Sequence, residues 1–132
     1  MSKLSKLSKK IKYNFPMNWK PITSVDQISS LIQESNSDSN AGVLILKHST
    51  RCSVSFFVKK NLESSWNISA DKLPTYYLDL IKYRDVSDQL AEIFEVRHES
   101  PQILLINKGD CSYSAAHSKI SAEAVESQIA TS

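Results

Sequence analysis

The sequence predicts an α/β domain: a central four-stranded mixed sheet flanked by helices, in the order α–β–α–β–α–β–β–α. Three observations carry this reading. Short continuous apolar runs, the mark of strands buried on both faces, alternate with segments whose apolar residues recur at helical spacing. Strands separated by helices pair as parallel neighbours through crossovers. The last two strands are separated only by "NKGD", residues 107–110, which leaves no room for a helix and makes that pair antiparallel.

Each element follows in turn. "TSVDQISSLIQES" (23–35) sets Val25, Ile28, Leu31 and Ile32 on one helical face, with Thr23 or Ser24 as its cap. "NSDSNAG" is a polar break. "VLILK" (43–47) is the first buried strand, and "HSTR" a polar turn after it. A second helix runs from Cys52 to about Leu62, with Val54, Phe57, Val58 and Leu62 along one side. "TYYLDLI" (75–81) is short and rich in aromatic and apolar residues, hence a strand. "DVSDQLAEIFEV" is a helix with a capping-box-like Ser87 and Leu90, Ile93 and Phe94 on one face. "PQILLI" (101–106) is a third buried strand, and "CSYSAAH" completes a hairpin with it. "SKISAEAVESQIA" closes the chain as a helix carrying Ile120, Ala124, Val125 and Ile129. A βαβ half followed by a ββα half is the thioredoxin-type arrangement.

Composition narrows the class. At 132 residues the chain fits one domain, with 41% apolar and 23% charged residues, ordinary for a soluble globular protein. No apolar run approaches the roughly 18 residues of a spanning helix, and no secretory signal opens the chain, so a cytoplasmic setting is expected. Two well-separated cysteines form neither a disulfide framework nor a zinc pattern. Residues 1–15 hold five of the 16 basic residues and no acid, which leaves 11 against 14, a net of −3, in the remainder. The chain therefore divides into a flexible basic tail, 1–15, and a single domain, 16–132. Leu4, Leu7 and Ile11 would let that tail form a short amphipathic helix on an anionic surface, but three apolar residues are too few to hold it alone.

The topology places functional weight at two points. Cys52 lies where the first buried strand gives way to its helix. A helix N-terminus offers unpaired N–H groups and partial positive charge, which stabilise a thiolate. Arg51 and Lys47 add positive charge, as His48 does when protonated, and Thr50 shares the turn; His48 is read as a strand-end residue at the exposed rim, ahead of a base. The second point is Ser100–Pro101, an X-Pro pair opening the third strand and a candidate cis peptide. His117, at the end of the fourth strand returning to the active-site edge, is open to two readings, an approach to Cys52 and a surface role. Trp19, Trp66 and Tyr76 are read as packing residues.

The segments "KHSTRCSVS", "YYLDLIKYRDVSDQLAEIFEVRHESPQILLI" and "GDCSYSAAH" resemble the monothiol bacilliredoxin family over about residues 19–129. The resemblance implies a thioredoxin-like fold and a redox role for Cys52, in the motif Cys52-Ser53-Val54-Ser55. It implies that Pro101 is the family's cis-proline, which with Ser100 presents backbone to an extended disulfide substrate. The position after the cysteine, often proline in the family, is Ser53 here. Ser55 cannot resolve a mixed disulfide as a second cysteine would, but it can donate a hydrogen bond to the Cys52 thiolate. The implied activity is monothiol thiol–disulfide exchange, with bacillithiol or a similar small thiol as co-substrate and S-thiolated proteins as clients. No resident cofactor, metal, nucleic acid or integral membrane segment is called for.

Cys111 follows the turn at the far end of the third strand. Five residues at roughly 3.3 Å each separate it from the active-site edge, beyond the reach of a disulfide. It is read as a hairpin residue. Two other classes compete. One is a thioredoxin-like partner-binding module with little chemistry, which an unactivated Cys52 would favour. The other is a peroxidatic enzyme, which Thr50-x-Cys52 echoes at one residue short of the usual spacing. A Cys-His-Glu hydrolase built on "HES" and "TRC" is set aside, because nothing supplies an oxyanion hole or an ordered base.

Overall fold

The computed structural model describes residues 17–130, and the basic segment 1–15 lies outside them. In chain order the elements are β1 (Trp19–Pro21), α1 (Gln27–Ser35), β2 (Val43–His48), α2 (Ser53–Ser64), β3 (Thr75–Asp79), α3 (Arg84–Ile93), β4 (Gln102–Asn107), β5 (Asp110–Ala116), a 3-10 turn (His117–Lys119) and α4 (Ala122–Ala130). The sheet has five strands in the order β1-β3-β2-β4-β5. β1, β3 and β2 run parallel, and β4 and β5 are antiparallel to their neighbours.

The α/β class and the sheet direction agree with the sequence. The strand count does not, because β1 is an addition. Trp19-Lys20-Pro21 shows no alternation and ends in proline, so pattern alone gives no strand there. What makes it one is tertiary. Trp19 Nε1 donates to Glu63 of α2 at 2.7 Å, and Lys59 of α2 bonds the same carboxylate at 2.8 Å while its ammonium lies 5.7 Å from the Trp19 ring. These contacts hold residues 19–21 beside β3 at an exposed sheet edge.

β2 lies at the centre of the sheet and is buried along its whole length. Strand side chains alternate between faces. Leu44 and Leu46 pack with Leu62 and Trp66 beneath α2, and with Val125 of α4. Val43 and Ile45 pack on the other face with Leu31 of α1 and with Val86 and Leu90 of α3. Helices on both faces are why the strand reads as an unbroken apolar run.

Helix ends and turns differ from the sequence reading in three places. α1 begins after Asp26, and Gln27 reaches back to accept from the N–H groups of Thr23 and Ser24, so neither residue is the cap. α3 begins at Arg84 with Tyr83 at its cap, and Ser87 is buried inside it. The hairpin is tighter than four residues. Asn107 pairs with Asp110, leaving Lys108 and Gly109 with φ of 53° and 84°, the double positive φ that suits the twist of flanking strands.

Gly42 fixes the entry to β2. Its φ is +118°, and a Cβ there would sit 2.4 Å from the Ile106 carbonyl oxygen. Gly42→Ala is expected to destabilise the fold by more than about 3 kcal/mol, because backbone strain and a backbone clash add. A urea midpoint within error of wild type would contradict this.

Candidate active site

Cys52 is the N-cap of α2, in extended conformation with φ −109° and ψ 120°. It is half-buried and carries a free thiol. The turn before it is closed by the Cys52 N–H on the Ser49 carbonyl at 3.2 Å, and the helix starts with the Phe56 N–H on the Cys52 carbonyl at 3.1 Å. The cysteine is thus held at both backbone ends. The first N–H groups of the helix lie next to it without helical acceptors, a setting that favours negative charge.

The polar support beneath the cysteine differs from the sequence reading. Ser55 is fully buried, and its Oγ lies 2.7 Å from His48 Nδ1 while accepting from the Ser49 N–H at 3.1 Å. No hydrogen bond joins Ser55 to Cys52 among the described residues. With the Ser49 N–H already donating to Oγ, the serine proton is satisfied only by donating to Nδ1. A buried hydroxyl proton with no acceptor would cost about 1–3 kcal/mol, so His48 is the Nε2–H tautomer. Ser55 therefore ties the strand end to the helix start.

His48 itself is 6% exposed, not at the exposed rim. Its side chain faces α2 because it alternates with Leu46, and its ring centroid lies 5.6 Å from that of Tyr77 on β3. Burial holds its pKa below the usual histidine value, with Lys59 adding to the effect and Asp79 and Glu63 opposing it. The ring is therefore neutral near pH 7. Because the folded value lies below the unfolded one, this histidine's contribution is fully present above about pH 6.5 and is lost as pH falls through the folded pKa. Ser55→Ala strands both the Ser49 N–H and Nδ1. A loss of about 2–3 kcal/mol is expected in urea unfolding at pH 7, and a loss under 0.5 would contradict the arrangement.

Lys47 does not add charge near Cys52. It is the residue before His48, so its side chain points to the opposite face, toward α3, where Asp88 is the acid that acts on it. It is 0% exposed, and among the described residues its Nζ has no hydrogen-bond partner. Burial lowers its pKa from 10.5 to about 8.

Arg51 and Thr50 are exposed on the turn before Cys52. The Ser100–Pro101 peptide is cis. Lys47 of β2 pairs with Gln102 of β4, which brings Pro101 to the edge of the sheet where Cys52 stands. Pro101 is buried and Ser100 half-buried, and the Pro101 carbonyl accepts from the His117 N–H at 3.1 Å. Sequence reasoning left His117 open between an approach to Cys52 and a surface role. Its φ of 57°, uncommon outside glycine, was not legible in advance.

Cys111 lies elsewhere. It pairs with Ile106, which pairs with Val43 at the start of β2, whereas Cys52 follows the end of β2. The strand between spans roughly 17 Å, and a disulfide needs Cα atoms within about 7 Å. Cys111 packs into the cluster on the face away from α2. Burial pushes its thiol pKa up, and Sγ donates to the Tyr113 carbonyl at 3.3 Å. Among the described residues no group of three or more His, Cys, Asp or Glu side chains could hold a metal ion, and no helix is long and apolar enough to cross a membrane.

Comparison with known proteins places this geometry. The family profile described as "Monothiol bacilliredoxin BrxC" matches residues 20–125. A solved thioredoxin-fold protein described as a candidate oxidoreductase is 29% identical, with a TM-score of 0.68 over 82% of this chain and 90% of its own. The thioredoxin of Malassezia sympodialis is 19% identical, with a TM-score of 0.62 over 89% and 93%. The thioredoxin of Nicotiana alata is 15% identical, with a TM-score of 0.65 over 89% and 94%. The last two show the fold alone.

Proposed function

The chain belongs to the monothiol bacilliredoxin family, and we propose that it removes bacillithiol or a similar small thiol from protein mixed disulfides through Cys52 alone. The observation that carries the single-cysteine reading is the position of the two thiols. Cys52 caps a helix at the cis-proline edge, Cys111 is at the other end of the sheet, and Ser55 stands where a resolving cysteine would be. Family and fold support a thioredoxin-like thiol oxidoreductase.

The cycle balances with one cysteine. The Cys52 thiolate attacks the small-thiol sulfur of the mixed disulfide. A new S–S bond forms to Cys52, the old one breaks, and the client leaves as a thiolate that takes a proton from water. A second small thiol then attacks the Cys52 adduct, freeing Cys52 and carrying off a symmetric small-thiol disulfide. No resident cofactor is used. Ser100 has no hydrogen bond within the described residues, so its N–H and C=O are available to an extended client backbone beside Cys52. The clients are S-thiolated proteins, in a cytoplasmic setting where thiols stay reduced.

The test is a single turnover. Wild-type protein mixed with a bacillithiolated single-cysteine protein should gain one bacillithiol as the client loses one. A client that keeps its adduct would overturn the proposal.

A further inference from the structure

Two cavities of about 380 Å³ each adjoin at the 3-10 turn that follows β5. The first runs between α2 and the 3-10 turn and is lined by Val54, Phe57, Val58 and Ile120. The second lies between the segment before Pro101 and the end of β5 and is lined by Glu99, Ser114 and Lys119. His117 and Ser118 line both. The His117 N–H is fixed on the Pro101 carbonyl at 3.1 Å, and α2 touches the 3-10 turn, so this divider stands between the cis-proline and the helix that Cys52 caps.

The two cavities differ in chemistry. Val54 and Phe57 are 54% and 63% exposed on the first two turns of α2. Large apolar side chains left in water next to each other, facing a shared concavity, mark a surface that another molecule covers. The second cavity is polar and carries one acid and one base. Neither Glu99 nor Lys119 is held in a salt bridge among the described residues.

A mixed disulfide has the same asymmetry. One half is a polypeptide, whose cysteine has neighbouring side chains. The other is a small cysteine-derived thiol bearing an ammonium and carboxylates. During transfer the three sulfurs lie nearly in line, so the two halves extend from Cys52 in different directions. We propose that the two cavities are the half-sites of the mixed disulfide, divided by His117. An apolar side chain flanking the client cysteine enters between α2 and the 3-10 turn. The ionised body of the small thiol enters beside Glu99 and Lys119, its carboxylate on Lys119 and its ammonium on Glu99. This assignment rests on the thiol-transfer reading above and adds which residues choose between client and small thiol.

Phe57→Ser and Lys119→Glu separate the half-sites, and both positions are exposed, so the fold is kept. Each variant is assayed on bacillithiol disulfide and on a bacillithiolated single-cysteine protein with an apolar residue beside that cysteine. Phe57→Ser should raise KM for the protein about fivefold or more, as loss of an interface anchor does, and leave the small disulfide within about twofold. Lys119→Glu should raise KM for both about fivefold, with the effect shrinking in 1 M salt as charges are screened. Equal effects of Phe57→Ser on both substrates, or no effect of Lys119→Glu on the small disulfide, would overturn the assignment while leaving thiol transfer standing. Wild-type protein inert toward both substrates would remove the thiol-transfer reading and the assignment with it.

Discussion

Cys52→Ser is expected to abolish thiol transfer, with a loss of at least ~10³-fold in rate, because a serine hydroxyl neither ionises near pH 7 nor forms the covalent adduct. Cys111→Ser should retain activity within about twofold, since nothing in a single-cysteine cycle passes through it. The contrast is sharp because the two thiols occupy opposite ends of β2 and opposite faces of the sheet. A resolving role for Cys111 would require the β4–β5 hairpin to move by about 10 Å, the span of the strand less the reach of a disulfide. Activity measured as release of small thiol from a client protein checks both variants in one assay. Equal loss in both would mean that a second cysteine takes part and that the single-cysteine cycle is wrong.

The second large effect is a gain in stability. Lys47→Met replaces a fully buried ammonium, with no hydrogen-bond partner among the described residues, by an apolar side chain of similar length. Replacing buried charge with well-packed apolar groups is often stabilising. The pKa fall from 10.5 to about 8 sets the scale. At about 1.36 kcal/mol per unit, the lysine costs up to about 3 kcal/mol at pH 7, some hundredfold in the folding constant. The sign over pH follows from the depressed value. Below pH 8 the lysine is charged in both folded and unfolded chains, and the cost is constant. Between pH 8 and 10.5 the folded chain gives up the proton that the unfolded chain keeps, so wild type gains stability as pH rises. The advantage of Lys47→Met should therefore be flat from pH 6 to 8 and shrink toward pH 10.5. An advantage independent of pH, or a loss of stability at pH 7, would show that Asp88 on α3 pairs with the ammonium well enough to offset its burial.

Much of this was legible in the residues, for identifiable reasons. β2 and β4 are buried on both faces, so "VLILK" and "PQILLI" read as strands without ambiguity. Cys52 at the strand-to-helix junction and Ser100–Pro101 at the start of β4 followed from element order alone. What was missed is tertiary. β1 is too short for a period and is held through Trp19 by Lys59 and Glu63, which lie 40 or more positions further along the sequence. His48 looked like a rim residue because a polar turn follows it, yet its imidazole has a buried partner in Ser55 that no local pattern announces. The two faces of β2 carry a signal that was available. Lys47 and His48 are adjacent, so only one of them can face α2, and the parity of Leu44 and Leu46 assigns that place to His48. His117 stayed open between the active-site edge and the surface, because its place depends on a positive φ and on a bond to Pro101 that no local pattern announces.

Ser55 differs from the hydrogen-bond donor to Cys52 that the motif suggests. Its hydroxyl proton is taken by His48, so the serine acts on Cys52 by fixing the turn from Ser49 to Cys52, not by bonding to the sulfur. In the proposed single-cysteine cycle the half-buried Cys52 is approached at the helix start, with Arg51 exposed on the turn before it.

The central claim is that Cys52 alone carries a small thiol. It is tested most directly by the intact mass of reduced protein after exposure to bacillithiol disulfide, with glutathione disulfide in parallel, on wild type, Cys52→Ser and Cys111→Ser. A single fast adduct that prefers bacillithiol, persists in Cys111→Ser and disappears in Cys52→Ser is the expected result. An adduct found only on Cys111, or none from either disulfide, would contradict it and leave the helix start at Cys52 as part of a partner-binding surface.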